Sequence, residues 1–126
     1  MDTVQPESIS PAELNALMAR ADAPLLLDVR RRARFDASPT MLAGAHYCAP
    51  EDVAAFALSN EKRDVIVYCV YGHEVGCDAA RTLREAGWNA RFLAGGIEGG
   101  EPGVDSPQDI AAWRSQPLPT VPKETA

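Results

Sequence analysis

Short apolar runs alternate with helical patterns along most of this chain. The run at 25–29 is almost continuously apolar, as in a strand whose sheet is covered on both faces. The segment 10–18 combines a capping-box pattern, Pro11 at the first helical position and apolar residues at helical spacing. We place predicted strands at 25–30, 41–48, 64–69 and 90–93, predicted helices at 10–18, 50–58, 76–86 and 106–113, and an irregular polar stretch at 31–40.

This alternation predicts an α/β fold with a central, mostly parallel sheet flanked by helices on both faces. Binding sites in such sheets lie outside the carboxyl ends of the strands. Asp28 and Arg30 end one predicted strand, and Cys69 ends another. We therefore expect these residues to share one end of the sheet.

The length of 126 residues suits a single domain. We assign 1–7 to an N-terminal extension, 8–116 to the domain and 117–126 to a disordered C-terminal tail, because that tail is polar and rich in proline. The glycine-rich segment 95–103 is predicted to be mobile.

Composition narrows the classes of partner. The net charge of −6 argues against a nucleic-acid partner, since polyanions would be repelled. The sequence has no apolar stretch that approaches the roughly 20 residues of a membrane span. The acidic N-terminus also lacks an export pattern. We expect a cytoplasmic protein that uses neither nucleic acid nor a membrane as partner.

The three cysteines, Cys48, Cys69 and Cys77, do not resemble a disulfide framework, because they are few and odd in number. Cys69 is the candidate for chemistry. It ends a predicted buried strand just before a helix, whose first free N–H groups favour negative charge. That position favours the thiolate, which is the form that acts as a nucleophile or sulfur carrier.

Several sequence segments stand in an order that is typical of one family. They are Leu26-Leu27-Asp28-Val29-Arg30, Leu42-Ala43-Gly44-Ala45, Val65-Ile66-Val67-Tyr68-Cys69, Ala79-Ala80 through Leu83-Arg84-Glu85-Ala86-Gly87-Trp88, and Leu93-Ala94-Gly95-Gly96-Ile97. With this ordered set, which covers about residues 8–100, the chain resembles the single-domain rhodanese-like sulfurtransferases. The second segment departs from the usual isoleucine-proline-glycine-alanine step.

The resemblance implies transfer of a sulfane sulfur through a Cys69 persulfide. A small-molecule donor such as thiosulfate, or a persulfide that a protein can carry, would supply the sulfur, and cyanide or a thiol would accept it. No cofactor or metal is implied. Asp28 and Arg30 would support the site by pinning a neighbouring loop. The loop expected to surround the outer sulfur with backbone N–H groups consists of Val70, Tyr71, Gly72, His73, Glu74 and Val75.

The loop after Cys69 departs from its relatives in two ways. It has no arginine before Arg81, whereas the related phosphatases and arsenate reductases end a longer loop with arginine, so oxyanion chemistry is disfavoured. Glu74 would oppose a thiolate. We expect its carboxylate to face solvent or to pair with Arg30 or Arg34. A carboxylate there also favours a neutral or protein-bound persulfide donor over dianionic thiosulfate.

Other interpretations stay open. The domain could be a noncatalytic or regulatory module that binds a partner or senses oxidants or thiophilic metals. It could also be a thiol–disulfide redox protein in which Cys77 resolves an oxidised Cys69. His73 is either a rim residue or a group that contacts thiolate or substrate. A metal site at Cys69, His73 and Cys77 would lack a fourth ligand nearby. Gly100 replaces an aromatic residue of many members, and Trp113 could compensate.

Overall fold

The computed structural model describes residues 7–116 and 118–123. The strands are β1 (Glu7–Ile9), β2 (Leu25–Asp28), β3 (Thr40–Leu42), β4 (His46–Tyr47), β5 (Asp64–Tyr68), β6 (Asn89–Leu93) and β7 (Thr120–Pro122). The α-helices are α1 (Pro11–Met18), α2 (Arg32–Ala37), α3 (Val53–Ser59), α4 (Glu74–Glu85) and α5 (Pro107–Arg114), and a short 3-10 helix (Pro50–Asp52) precedes α3.

The main sheet contains five strands in the order β1-β6-β5-β2-β4, and all its neighbours pair in parallel. β2 and β5 are adjacent, with Asp28 opposite Tyr68. Consequently the carboxyl end of β2 lies beside Cys69, as expected from the sequence. A separate antiparallel pair joins β3 to β7.

Two apolar clusters cover the two faces of the sheet, which explains why its central strands read as continuous apolar runs. On one face, Leu27 and Val67 pack with residues of α3 and α4, including Leu83. On the other face, Leu26 and Ile66 belong to the cluster that includes residues of α1 and β1. The predicted α/β class, with helices on both faces, is confirmed.

The structure differs from the sequence-based elements in several short segments. The stretch expected to be irregular contains α2, and the single strand expected at 41–48 is two strands, β3 and β4. β1, with Glu7 as its first residue, begins inside the assigned N-terminal extension, while residues 1–6 lie outside the described part. Strands of two or three residues give too short a pattern to detect.

The expectation of a disordered tail from 117 onward is wrong for its described part. Thr120–Pro122 forms β7, which pairs with β3, and Ala43 N–H donates to the Pro119 carbonyl at 2.9 Å. The proline-rich composition concealed an edge strand. Residues 117 and 124–126 lie outside the described residues. Within the described residues, no helix has the length and apolar character needed to cross a membrane.

Candidate active site

Cys69 follows the last residue of β5 and begins the loop that leads to α4. Its side chain is largely buried, with 6% of its surface exposed, yet it contributes to the wall of a cavity of about 210 Å³. The thiol therefore faces a hollow and is not sealed under hydrocarbon. The cavity is lined by Arg30, Arg31, Arg34, Cys69, Val70, Tyr71, His73, Glu74, Val75 and Glu101.

The loop curls back toward the sulfur. The Gly72 N–H donates to Cys69 Sγ at 3.2 Å, so a backbone dipole points at the atom where negative charge would reside. Gly76, in the first turn of α4, leaves room beside it, because a Cβ there would lie 3.3 Å from Sγ. The wider ring of N–H groups expected around an outer sulfur stays a prediction.

The turn that follows β6 is joined to this loop by backbone hydrogen bonds. Ile97 N–H donates to the Cys69 carbonyl at 3.0 Å, and Glu98 N–H donates to the Val70 carbonyl at 2.9 Å. Gly72 has a φ of +76°, and a Cβ there would lie 2.6 Å from the Leu93 carbonyl oxygen. The loop conformation therefore requires glycine both for its backbone angle and for the close approach of two backbones.

Trp113 of α5 packs against the same turn. A Cβ at Gly95 would lie 2.7 Å from the indole ring, and one at Gly100 would lie 2.8 Å from it. The ring thus lies against Gly100, which is the contact that the predicted compensation requires. This contact and the Gly100 N–H bond to the Gly95 carbonyl, at 2.7 Å, fix a segment whose composition suggested mobility.

Asp28 and Arg30 form a buried ion pair, with 0% and 2% of their surfaces exposed. Arg30 Nη2 lies 2.6 Å from Asp28 Oδ2 and also donates to the Thr40 carbonyl at 3.0 Å. Burial alone would lower the pKa of Arg30, but the hydrogen bonds and charge of Asp28 raise it. The pair holds the chain that runs from β2 to β3, Arg30 also lines the cavity, and Asp28 is linked by hydrogen bond to Tyr68, the residue before Cys69.

Tyr68 is the link to Cys69 within this network. Its hydroxyl donates to Asp28 Oδ2 at 2.9 Å and accepts from the Leu42 N–H at 3.0 Å. Burial, followed by the charge of Asp28, raises the pKa of Tyr68, so the phenol stays neutral and keeps its donor proton. Tyr68, which directly precedes Cys69, is therefore held in place by the hydrogen bonds of its hydroxyl as well as by strand pairing.

Glu74 turns away from the thiol. Its side chain is 79% exposed, and Oε1 lies 3.9 Å from Nη2 of Arg31, which is itself 67% exposed. The expectation that this carboxylate would face solvent or pair with a base is met. Its partner is Arg31 and is neither of the predicted residues, Arg30 and Arg34. Arg30 is occupied by Asp28, and an exposed pair at this distance is worth little.

His73 has an acidic partner that sequence reasoning missed. Its Nε2 lies 2.9 Å from Asp105 Oδ2, and that oxygen also accepts the Glu101 N–H at 2.7 Å. Asp105 is 32 residues away along the chain, in the segment that precedes α5. No local pattern in the sequence connects the two, so only the folded arrangement could reveal the contact.

The other two cysteines are free thiols outside the cavity lining. Cys77 is half-buried on α4, where Arg81 Nη2 approaches its sulfur at 3.7 Å. Burial, followed by the charges of Asp52 and Glu51, raises the pKa of Cys48. Among the described residues, no three His, Cys, Asp or Glu side chains are grouped as a metal site would need.

Comparisons with known proteins show which domains this chain is similar to. A profile described as Rhodanese-like domain matches residues 10–101. A sequence comparison with curated proteins gave no match. The chain is also similar to a solved structure, the rhodanese-like domain of the Alr3790 protein from Anabaena sp. The two share 28% identity with a TM-score of 0.66, over 98% of this chain and 83% of that one.

Two further structures are similar in fold alone, because their identities are low. One is reduced CoADR-RHD from Bacillus anthracis, at 20% identity and a TM-score of 0.62; the alignment covers 74% of this chain but only 16% of that longer one. The other is a possible tyrosine phosphatase from Rhodopseudomonas palustris, at 18% identity and a TM-score of 0.66, over 90% of this chain and 83% of that one.

Proposed function

We propose, from the premise that this chain belongs to the rhodanese-like domain family, that it is a sulfurtransferase whose sulfur carrier is Cys69. In the first half of the reaction, the thiolate attacks the sulfane sulfur of the donor. With thiosulfate, the sulfur–sulfur bond of the donor breaks and sulfite leaves with the electron pair. Cys69 then carries a persulfide, which a nucleophilic acceptor removes in the second half.

One observation carries this proposal: Cys69 Sγ opens onto a cavity while the Gly72 N–H points at it from 3.2 Å. A donor at the place where charge develops stabilises the thiolate both before attack and after sulfur has left. The opening provides space for one additional sulfur and for the group that delivers it.

The charges around the cavity bear on the class of donor. Glu74 and Glu101 line it, but Arg31 and Arg34 line it too. Since the Glu74 carboxylate is solvated and near Arg31, its repulsion of an anion is largely screened. We therefore propose that both thiosulfate and persulfides can act as donors, with cyanide or a thiol as acceptor. A persistent free thiol further favours a reducing compartment such as the cytoplasm.

Two alternatives have less support. A phosphatase of this fold would need a cation in the loop to hold an oxyanion, but the first arginine after Cys69 is Arg81, which bonds to Asp78 at 2.8 Å. A regulatory module that senses oxidants or thiophilic metals would also use a reactive Cys69. The sensor would not require the thiol to accept and release a sulfur atom catalytically.

The test is intact mass after incubation with thiosulfate and, separately, with an organic persulfide. We expect a gain of one sulfur atom, followed by its loss to an added thiol or cyanide. Cys69→Ala should abolish the gain, whereas Cys48→Ser and Cys77→Ser should retain it. Failure of the wild-type protein to gain sulfur from either donor would refute the proposal. Loss of transfer in Cys77→Ser would instead support a disulfide cycle.

A further inference from the structure

We propose that His73, oriented by Asp105, is the base that removes the proton from an acceptor thiol, so that the second half of the reaction is directed to thiols. This inference rests on the proposed function, because it concerns the step that discharges the Cys69 persulfide. It adds a catalytic residue to that function and narrows the acceptor class to thiols.

The contact with Asp105 fixes the state of the imidazole. An ionised carboxylate only accepts hydrogen bonds, so His73 Nε2, at 2.9 Å from Asp105 Oδ2, carries a proton. In the neutral ring Nδ1 is then the lone-pair nitrogen, and it makes no hydrogen bond with any described residue. His73 lines the same cavity as Cys69, and a thiol bound there is the group from which Nδ1 would receive a proton.

Asp105 is held in place independently of His73. Its Oδ2 accepts the Glu101 N–H at 2.7 Å, and its own N–H donates to the Glu101 carbonyl at 2.9 Å. Val104 N–H donates to the same carbonyl at 3.0 Å. The Asp105 side chain is only 11% exposed. A carboxylate fixed in this closed turn orients the imidazole before substrate arrives, and it stabilises the imidazolium that forms afterward.

The proposed step balances without any further reactant. The S–H proton of the acceptor moves to Nδ1 of His73 as the acceptor sulfur attacks the outer sulfur of the persulfide. The bond between that outer sulfur and Cys69 Sγ breaks, and its electron pair remains on Sγ, to which the Gly72 N–H donates. The products are an acceptor persulfide and a Cys69 thiolate, and the imidazolium returns its proton to solvent or to the new persulfide.

The experiment compares two acceptors on protein that already carries the Cys69 persulfide. Glutathione is mostly protonated at pH 7, whereas thionitrobenzoate is already a thiolate. Single-turnover loss of sulfur, followed by intact mass, gives a rate for each, and their ratio cancels any general damage to the site. His73→Gln should lower the glutathione-to-thionitrobenzoate ratio about tenfold or more. The glutamine amide can still donate to Asp105, but it is no base.

Asp105→Asn is the second variant, because its neutral amide removes the negative charge that would stabilise the imidazolium formed at His73. It should lower the same ratio. The matched controls are His46→Gln and Asp109→Asn, which make the same changes at exposed residues. Each should keep the rate ratio within about twofold of wild type. A fall of less than threefold in the rate ratio of His73→Gln overturns the inference. If His73→Gln does not fold, the same threshold is applied to Asp105→Asn. If the wild type never acquires the persulfide, the proposed function itself has failed.

Discussion

Cys48 and Cys69 occupy equivalent places at the same end of one parallel sheet. Each directly follows a strand, β4 for Cys48 and β5 for Cys69, and both strands flank β2. Their exposed fractions are also alike, at 8% and 6%. Even so, Cys69 alone of the two lines the arginine-rich cavity. Position at a strand end is therefore insufficient to place a cysteine in this cavity.

The difference lies in the residues that follow each cysteine. After Cys48 comes Ala49, whose carbonyl lies 3.8 Å from the thiol as an acceptor, and then Pro50, which has no N–H to offer. These neighbours favour the protonated sulfur. After Cys69 the loop brings the Gly72 N–H to the sulfur as a donor. The two thiols therefore differ in their backbone partner, because Cys69 faces a donor and Cys48 faces an acceptor.

The largest expected effect comes from removing that loop feature. Gly72→Ala would place a Cβ 2.6 Å from the Leu93 carbonyl and 2.7 Å from Gly95 N, so backbone must shift. The N–H would then move away from Cys69, and the thiol would come to resemble Cys48. We expect sulfur uptake from thiosulfate to fall about 100-fold, since a displacement of about 1 Å can have that effect. The rate of sulfur uptake is measured by intact mass of samples quenched at successive times.

Gly103→Ala is the matched control for this change. Gly103 also has a positive φ, of +87°, but a Cβ there meets nothing within 4 Å. It therefore carries the same left-handed backbone cost, of about 1–3 kcal/mol, without the collision. We expect sulfur uptake within about threefold of wild type. Equal losses in the two variants would show that general destabilisation, and not the position of the Gly72 N–H, controls Cys69.

The sequence was sufficient to predict the fold class and the position of Cys69. Both follow from regular patterns: the apolar runs define β2 and β5, and parallel pairing brings their carboxyl ends together. The role of Arg30 was predicted only in part. Its buried contact with Asp28 is made through Nε and Nη2, and exposed Arg31 is the partner of Glu74. Competition among neighbouring arginines is decided by burial, which the sequence does not display.

Long-range polar contacts could not be predicted at all. Asp105 reaches His73 only because α5 and the glycine-rich turn fold back over the loop, and no periodicity encodes that approach. The strand β7 was missed for a related reason. Its only apolar strand-former, Val121, stands between a threonine and a proline, and its pairing with Met41 of β3 depends on the route of the chain rather than on local propensity.

A second experiment compares the two thiols directly by alkylation. Cys69→Ser/Cys77→Ser leaves Cys48, and Cys48→Ser/Cys77→Ser leaves Cys69. Because burial and nearby carboxylates raise the pKa of Cys48 above its ordinary 9.0, less of it is thiolate at pH 7 than in a free cysteine. We expect iodoacetamide to modify Cys48 at least about tenfold more slowly than Cys69.

The pH dependence of this reaction gives an independent check. As pH rises, the rate at Cys48 should still be increasing at values where a free cysteine has levelled off, because the raised pKa delays formation of the thiolate. The two residues have similar exposed fractions, so overall burial does not separate them. Cys48 reacting as fast as Cys69 at pH 7 would remove the distinction on which the comparison depends.

The smallest expected effect concerns the carboxylates beside the two thiols. Asp52 and Glu51 add to burial in raising the pKa of Cys48, but Glu74 is exposed to solvent near Arg31. Glu74→Gln should therefore raise kcat/KM for thiosulfate by only about two- to threefold, because screened charges interact weakly. The gain should vanish in about 1 M salt and be absent with an uncharged organic persulfide. Glu85→Gln, at the far end of α4, is the matched control and should leave kcat/KM unchanged for both thiosulfate and the organic persulfide. If Glu74→Gln gives no gain at low salt, this carboxylate does not affect donor choice, and the contrast with Cys48 depends on the loop alone.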